Sequence, residues 1–232
     1  MLNINEIFRS IDGEVNAWGQ GTLTTFIRLQ GCNCHCEYCD TKHVQNIKTI
    51  KYEMSVSDIC ELIPEGKVTI TGGEPLLQDE VYPLIEQLIN QRHFVSVETN
   101  GSKLIKHYYQ NSLNPTKKLS WIVDYKLHAE KKMKMDNFWR LTSNDWIKFV
   151  IQNDNDFKKA VTIYRNFVNQ GCRARFAFSP VIKKNKKTIH WLADKMIQAK
   201  LYNISFNLQI HKLIWPNKSE GISLLSKINL EK

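Results

Sequence analysis

Apolar residues recur along this chain with two periods. Short runs rich in Val, Ile, Phe and Trp at 23–29, 67–71, 94–98, 119–125, 146–151, 173–179 and 204–210 predict strands. Between several of them apolar positions return at helical spacing: Val81, Leu84, Ile85 and Leu88; Phe157, Ala160, Val161, Tyr164 and Val168; Ile189, Leu192, Ala193 and Met196. Ser55-Val56-Ser57-Asp58 fits a capping box opening a further helix that ends near Pro64-Glu65-Gly66. Strands alternating with helices predict an α/β fold, a parallel sheet with helices outside. About six such units are too few to close an eightfold barrel, so the expectation is a partial, open parallel β/α barrel. No repeat, low-complexity tract or Gly/Ser-rich linker divides residues 1–232, which predicts one domain, with 217–232 as an extension without an assigned role.

In such folds functional groups gather where the strands end. The polar exceptions to the apolar pattern fall at those ends: Thr71 to Glu74, Glu98, Asp124 and Lys126, Ser179, Gln209 and His211. A shared rim accounts for them together.

Composition narrows the class. With 42% apolar and 24% charged residues the chain reads as an ordinary globular protein. No apolar run reaches the length needed to span a bilayer. Met1 to Glu6 has neither the basic nor the apolar part of a secretory leader, which predicts a cytoplasmic protein with no membrane partner. The net charge of +9 admits two readings, a surface for nucleic acid or a face that docks an acidic electron donor. The lysine runs at 131–134 and 183–187 are short and read as solvated faces, so no nucleic-acid partner is expected.

The cysteines change the picture most. Four of six lie within eight positions, a poor disulfide framework and a good metal or redox cluster. Cys32, Cys36 and Cys39 stand at C-x3-C-x2-C spacing after an apolar strand. A cubane iron–sulfur cluster held by three thiolates keeps one iron open to bind something else. The competing reading is zinc, with Cys34 or His35 as fourth ligand, but no second two-ligand knuckle accompanies it. The spacing favours Cys32, Cys36 and Cys39 over Cys34, which is then expected to point away. Cys60 and Cys172 stand in apolar contexts as core fillers.

This loop resembles the signature of radical S-adenosylmethionine (SAM) enzymes. With Phe26 to Gln30 before it and Asp40-Thr41 after it, the segment is similar to the 7-carboxy-7-deazaguanine synthases of queuosine and deazapurine biosynthesis. The resemblance implies a [4Fe–4S] cluster on Cys32, Cys36 and Cys39, SAM on the open iron, and Mg2+ held by Thr41. It implies SAM contacts from Tyr38, Cys39 and Asp40, from Gly73 and Glu74 of Thr71-Gly72-Gly73-Glu74-Pro75, from Glu98 of Glu98-Thr99-Asn100-Gly101, and from Asp124, Tyr125 and Lys126. Only Lys126 of the last three matches the family's Ser-Pro-Lys-like segment closely. Taken alone, the glycine strings are ordinary turns.

For a pterin substrate the resemblance implies Ile11, Asp12, Gly13 and Glu14, together with Arg28, Thr71, Gln209 and His211. Asp12 and Val15 depart from the family's Gln-Gly-Glu-Gly. The resemblance further implies a flavodoxin or ferredoxin reductant and a homodimer. The nearest alternative is another small radical SAM enzyme such as a glycyl-radical activase. The alternative from a different class is a zinc-stabilised nucleic-acid-binding module.

Overall fold

The structure, a computed structural model, describes residues 1–64, 66–106, 117–182, 187–215, 222–223 and 225. Most of the 183–187 lysine run, Glu65, and all but three residues of 217–232 lie outside the described residues.

Among the described residues one sheet of ten strands runs in the order β10-β1-β2-β4-β5-β6-β7-β8-β9, with β3 paired to β1. The strands are β1 (Leu2–Ile11), β2 (Leu23–Leu29), β3 (Tyr52–Met54), β4 (Lys67–Gly72), β5 (Phe94–Thr99), β6 (Leu119–Tyr125), β7 (Trp146–Ile151), β8 (Arg175–Pro180), β9 (Ile204–Phe206) and β10 (Ile222–Ser223). From β2 through β9 the pairing along the path is parallel, whereas β1 pairs antiparallel with β2, β3 and β10. Six crossovers therefore join seven parallel strands, the open α/β architecture expected from the periodicity.

The described helices are α1 (Val56–Glu61), α2 (Val81–Asn90), α3 (Met135–Arg140), α4 (Asp154–Asn169), α5 (Lys187–Gln198) and α6 (Ile210–Ile214). The starts of α1 and α4 are set by side chains that satisfy free N–H groups of the first turn. Ser55 Oγ accepts from Asp58 N at 3.1 Å and Asp58 Oδ2 accepts from Ser55 N at 3.3 Å, the capping box read from the sequence. Asn153 caps α4 by accepting from Asp156 N at 3.0 Å. The buried positions Val81, Leu84, Ile85 and Leu88 of α2 and Phe157, Ala160 and Val161 of α4 join the core against the sheet.

Two elements differ from the periodicity. β1 is a ten-residue strand that alternation does not reveal, because Asn5 and Glu6 at its centre are buried as well. Asn5 donates to Gln30 Oε1 at 2.7 Å, and Glu6 pairs with Arg28 at 2.5 Å, so both strand faces are covered. The run 204–210 is a strand only through Phe206. There Asn207 takes the last sheet bond, from its N to Phe178 O at 2.8 Å, and its side chain accepts from Val15 N at 2.9 Å. The chain is pulled off the sheet toward the N-terminal segment, and Gln209 and His211 sit at and in α6, not at a strand end.

Cys60 is buried in the core, and Cys172, half-buried, packs against it while its thiol donates to Phe138 O at 3.6 Å, as expected of fillers.

Candidate active site

The parallel strands point their C-terminal ends into one cavity of about 1520 Å3. A pocket for one small ligand commonly occupies about 300–1,000 Å3. This cavity has room for two ligands side by side.

One wall is the loop after β2. It turns at Gly31, whose φ of +97° suits glycine, and is held by Gly31 N to Val44 O at 2.7 Å and Cys32 N to Gln45 O at 3.1 Å. The wall presents Cys32, Cys36, Tyr38, Cys39, Asp40 and Thr41 to the cavity. Cys34 faces it as well, contrary to the expectation that it points away, because the whole loop is folded inward and buries its side chain. Burial pushes the Cys32 and Cys36 thiols above their ordinary value, and takes Cys34 to about 11. The surrounding protein alone therefore does not stabilise the thiolates of Cys32 and Cys36; a bound cationic centre would. Among the described residues no three Cys, His, Asp or Glu side chains close on a point as ligands of a single metal ion do. The thiols of Cys32, Cys36 and Cys39, gathered on one wall, suit a multi-iron cluster, which takes each thiolate on a different iron.

The end of β4 abuts this loop. A Cβ on Gly73 would lie 2.0 Å from Gly31 O and 2.8 Å from Cys32 Cβ, so only glycine lets the two segments touch. Glu74, expected at the cofactor, is fully buried and does not line the cavity. It accepts from Leu76 N at 3.0 Å, Thr99 Oγ1 at 2.7 Å and Asn100 N at 2.7 Å, tying the end of β4 to the end of β5. Tyr125 is likewise turned away. Strand alternation directs it into the aromatic core beside Phe138, Phe149 and Phe167, while Asp124 and Lys126 on either side face the cavity. In this structure both side chains are engaged by the protein itself.

Every other residue anticipated from the sequence lines the cavity: Ile11, Asp12, Gly13, Glu14, Arg28, Thr71, Gly73, Glu98, Asp124, Lys126, Gln209 and His211, with the loop residues above. Asp12 is already engaged, by Lys67 at 2.6 Å and Thr69 Oγ1 at 2.9 Å. The departure from a family glutamine is thus matched by a buried lysine. Gly13 packs so closely on α6 that a Cβ there would meet His211 Nδ1 at 2.3 Å. Gln209 donates to Glu14 Oε1 at 2.7 Å, and Lys212 pairs with Asp40 at 2.7 Å, so the C-terminal segment bridges both walls. Burial draws His211 below its ordinary value, which keeps a neutral ring able to donate and accept.

The far wall holds a residue the sequence reading missed. Lys148, at the centre of β7, forms ion pairs with Glu14 and, at 3.0 Å, with Asp124, which also pairs with Lys126 at 2.7 Å. A lysine inside the apolar run Trp146-Ile147-Lys148-Phe149-Val150-Ile151 was the available signal. Burial works against its charge, but Asp124, Glu14 and Glu98 outweigh this and hold Lys148 well above the ordinary lysine range.

Glu98 is the surplus carboxyl of this group. Burial, then the Glu14 charge, push it up to about 8, while Thr71 Oγ1 donates to it at 2.7 Å. A raised carboxyl binds more protons folded than unfolded between its ordinary value, about 4.3, and about 8. Stability is therefore expected to fall as pH rises through that window, with a slope of at most about 1.4 kcal/mol per pH unit. Denaturant midpoints at about pH 5 and pH 8 should differ in the natural chain and converge in Glu98→Gln.

Comparison with known proteins agrees with this geometry. The Radical SAM superfamily model matches residues 26–113, which carry the cysteine loop and the ends of β4 and β5. The fold and the three-cysteine wall thus define a radical SAM enzyme. The chain is 41% identical over 223 residues to a 7-carboxy-7-deazaguanine synthase of Clostridium acetobutylicum, covering 92% of this chain and 96% of that one. A protein of the same name from Koribacter versatilis is 30% identical, covering 95% and 100%. The crystal structure of QueE from Escherichia coli superposes with a TM-score of 0.66 at 22% identity, over 88% of this chain and 93% of that one. Streptococcus suis SuiB bound to S-adenosylmethionine shares the fold, with a TM-score of 0.57 at 14% identity, over 77% and 48%.

The chain belongs to the 7-carboxy-7-deazaguanine synthase family. Membership implies a [4Fe–4S] cluster and SAM as cofactors and a small molecule as substrate, and displaces the zinc-module and activase readings. Among the described residues no helix is long and apolar enough to cross a membrane.

Proposed function

We propose that this enzyme converts 6-carboxy-5,6,7,8-tetrahydropterin to 7-carboxy-7-deazaguanine with loss of ammonia, in queuosine and deazapurine biosynthesis. The observation that carries this is identity over almost the full length to a protein of that name. The cavity supports it, being large enough for a cofactor and a pterin together.

Cys32, Cys36 and Cys39 would hold the cluster, and Tyr38, Asp40, Gly73, Asp124 and Lys126 form the wall against which SAM would lie. When bound, the two cofactors supply a radical that starts the ring contraction by taking hydrogen from the substrate. What the chain does is placement. Glu14, Gln209 and His211 offer paired donors and acceptors to a pterin edge, and they hold each other in position. Arg28, anchored to Glu6 through Nε, retains further N–H groups for a carboxylate. Gly73 brings backbone close to the cysteine wall, and no side chain is needed as an obligatory general base.

Thr41 lines the cavity 3.6 Å from Cys39 Sγ, where a hydroxyl oxygen suits Mg2+ beside the substrate carboxylate. Thr41→Ala should keep its full iron and sulfide while the Mg2+ concentration for half-maximal turnover rises about tenfold, the loss of about 1.4 kcal/mol of ion binding. Unchanged Mg2+ dependence would remove Thr41 from the site.

A flavodoxin or ferredoxin as reductant is supported by the charge of +9, since an acidic donor would be steered to a basic protein. Reduction that ignores salt would count against it. Six free cysteines suit the reducing cytoplasm. A homodimer follows from the family resemblance.

The deciding experiment is an anaerobic assay of the reconstituted protein with reductant, SAM, Mg2+ and 6-carboxytetrahydropterin, read by mass spectrometry. Formation of 7-carboxy-7-deazaguanine is expected. Cleavage of SAM without that product would move the substrate elsewhere.

A further inference from the structure

Asn100, at the end of β5, is buried against the cysteine wall. Its Nδ2 lies 3.9 Å from Cys32 Sγ and donates to Asn33 Oδ1 at 3.0 Å. Its Oδ1 accepts from Ser102 N at 3.0 Å, and its backbone N donates to Glu74 Oε2 at 2.7 Å. These partners leave the amide one orientation. Turning it over would set Oδ1 against both a sulfur and the Asn33 oxygen, and would take the acceptor from Ser102. A second N–H, from Cys34, points at the same sulfur from 3.4 Å.

We infer that Asn100 is a positioning residue that sets the reduction potential of the cluster through its N–H to the Cys32 sulfur, with Glu74 and Asn33 as its clamps. The inference rests on the family reading, in which Cys32 is a cluster ligand. Reduction adds negative charge that spreads onto the ligating sulfurs. A fixed N–H dipole aimed at one of them stabilises the reduced form more than the oxidised, and does so strongly where water is excluded. The cluster then accepts an electron more readily. This also gives Glu74 a purpose away from the cavity: its carboxylate holds the strand end that carries the donor.

The test is a redox titration, followed by electron paramagnetic resonance, of anaerobically reconstituted natural protein, Asn100→Leu and Asn33→Ala, with iron and sulfide measured for each. Asn100→Leu keeps about the same volume, removes the donor and adds no charge. Its reduction equilibrium should be about fivefold less favourable, the worth of one ordinary hydrogen bond. At 59 mV per tenfold for one electron, that is a potential about 40 mV more negative. Asn33→Ala leaves the donor but frees its orientation, and should shift the same way by less. A purely structural role would leave the potential where it was, and unchanged potentials in cluster-replete variants overturn the inference. If Asn100→Leu assembles no cluster, Asn33→Ala decides alone. Failure of the natural protein to take up iron and sulfide would overturn the family reading, and this inference with it.

Discussion

Cys36→Ala is expected to abolish both SAM cleavage and product formation while leaving the fold intact. A cubane held by three thiolates loses a corner when one is removed, and the protein offers no fourth cysteine outside the loop to the cavity. The loss in turnover should be complete within detection, whereas losing one small buried thiol should cost the apoprotein only about 1 kcal/mol. Iron and sulfide content, 5′-deoxyadenosine yield and apoprotein melting separate the two effects. Cys34 makes the experiment more informative, since it is buried on the same wall. Cys34→Ala should retain the cluster that Cys36→Ala loses. Normal turnover without Cys36 would overturn the ligand assignment.

Lys148→Met should damage stability and activity together. It removes the cation shared by Glu14 and Asp124 and leaves Glu14 buried without a charged partner, although Asp124 retains Lys126. Removing one partner of a buried pair costs about 3–5 kcal/mol. The pH dependence follows from the shifts. Lys148 is raised, so its contribution is complete below the ordinary lysine value and is lost only as pH climbs through its higher folded one. Asp124, which burial would raise, is lowered overall by Lys126 and Lys148. Its contribution is present above the ordinary aspartate value and is lost as pH falls through its lower folded one. The deficit of Lys148→Met should therefore be largest near neutral pH and shrink in acid as Asp124 protonates. Urea unfolding of both proteins across that range checks it, and a deficit independent of pH would show that packing, not charge, is what the lysine provides. Lys148→Arg should recover part of the stability, since it keeps the charge.

How much of this was legible beforehand varied with the kind of residue. Six of the seven predicted strands appear close to their expected bounds, because strands covered on both faces by helices and core read as apolar runs. β1 escaped because Asn5 and Glu6 are buried by partners just after and on β2, Gln30 and Arg28, that no local pattern announces. The run 204–210 was read too long because the force that ends it, Asn207 bonding to Val15, comes from 192 residues away. At the site, cysteines and glycine strings advertised themselves by spacing. Glu74 and Tyr125 stand in motifs legible in the sequence, yet their side chains turn into the protein, since a motif names a residue and strand geometry decides which way it faces.

By itself, then, the sequence determined the open α/β architecture, the three-cysteine loop and the set of polar residues at the strand ends, because periodicity and spacing are local properties of the chain. Only the tertiary structure decided that Lys148 joins Glu14 to Asp124, that Lys67 answers Asp12, that Cys34 turns inward, and that Asn100 reaches Cys32. Each is a contact between segments far apart in sequence or a choice of face, and the energy of a buried charge or hydrogen bond depends on what the fold sets opposite it.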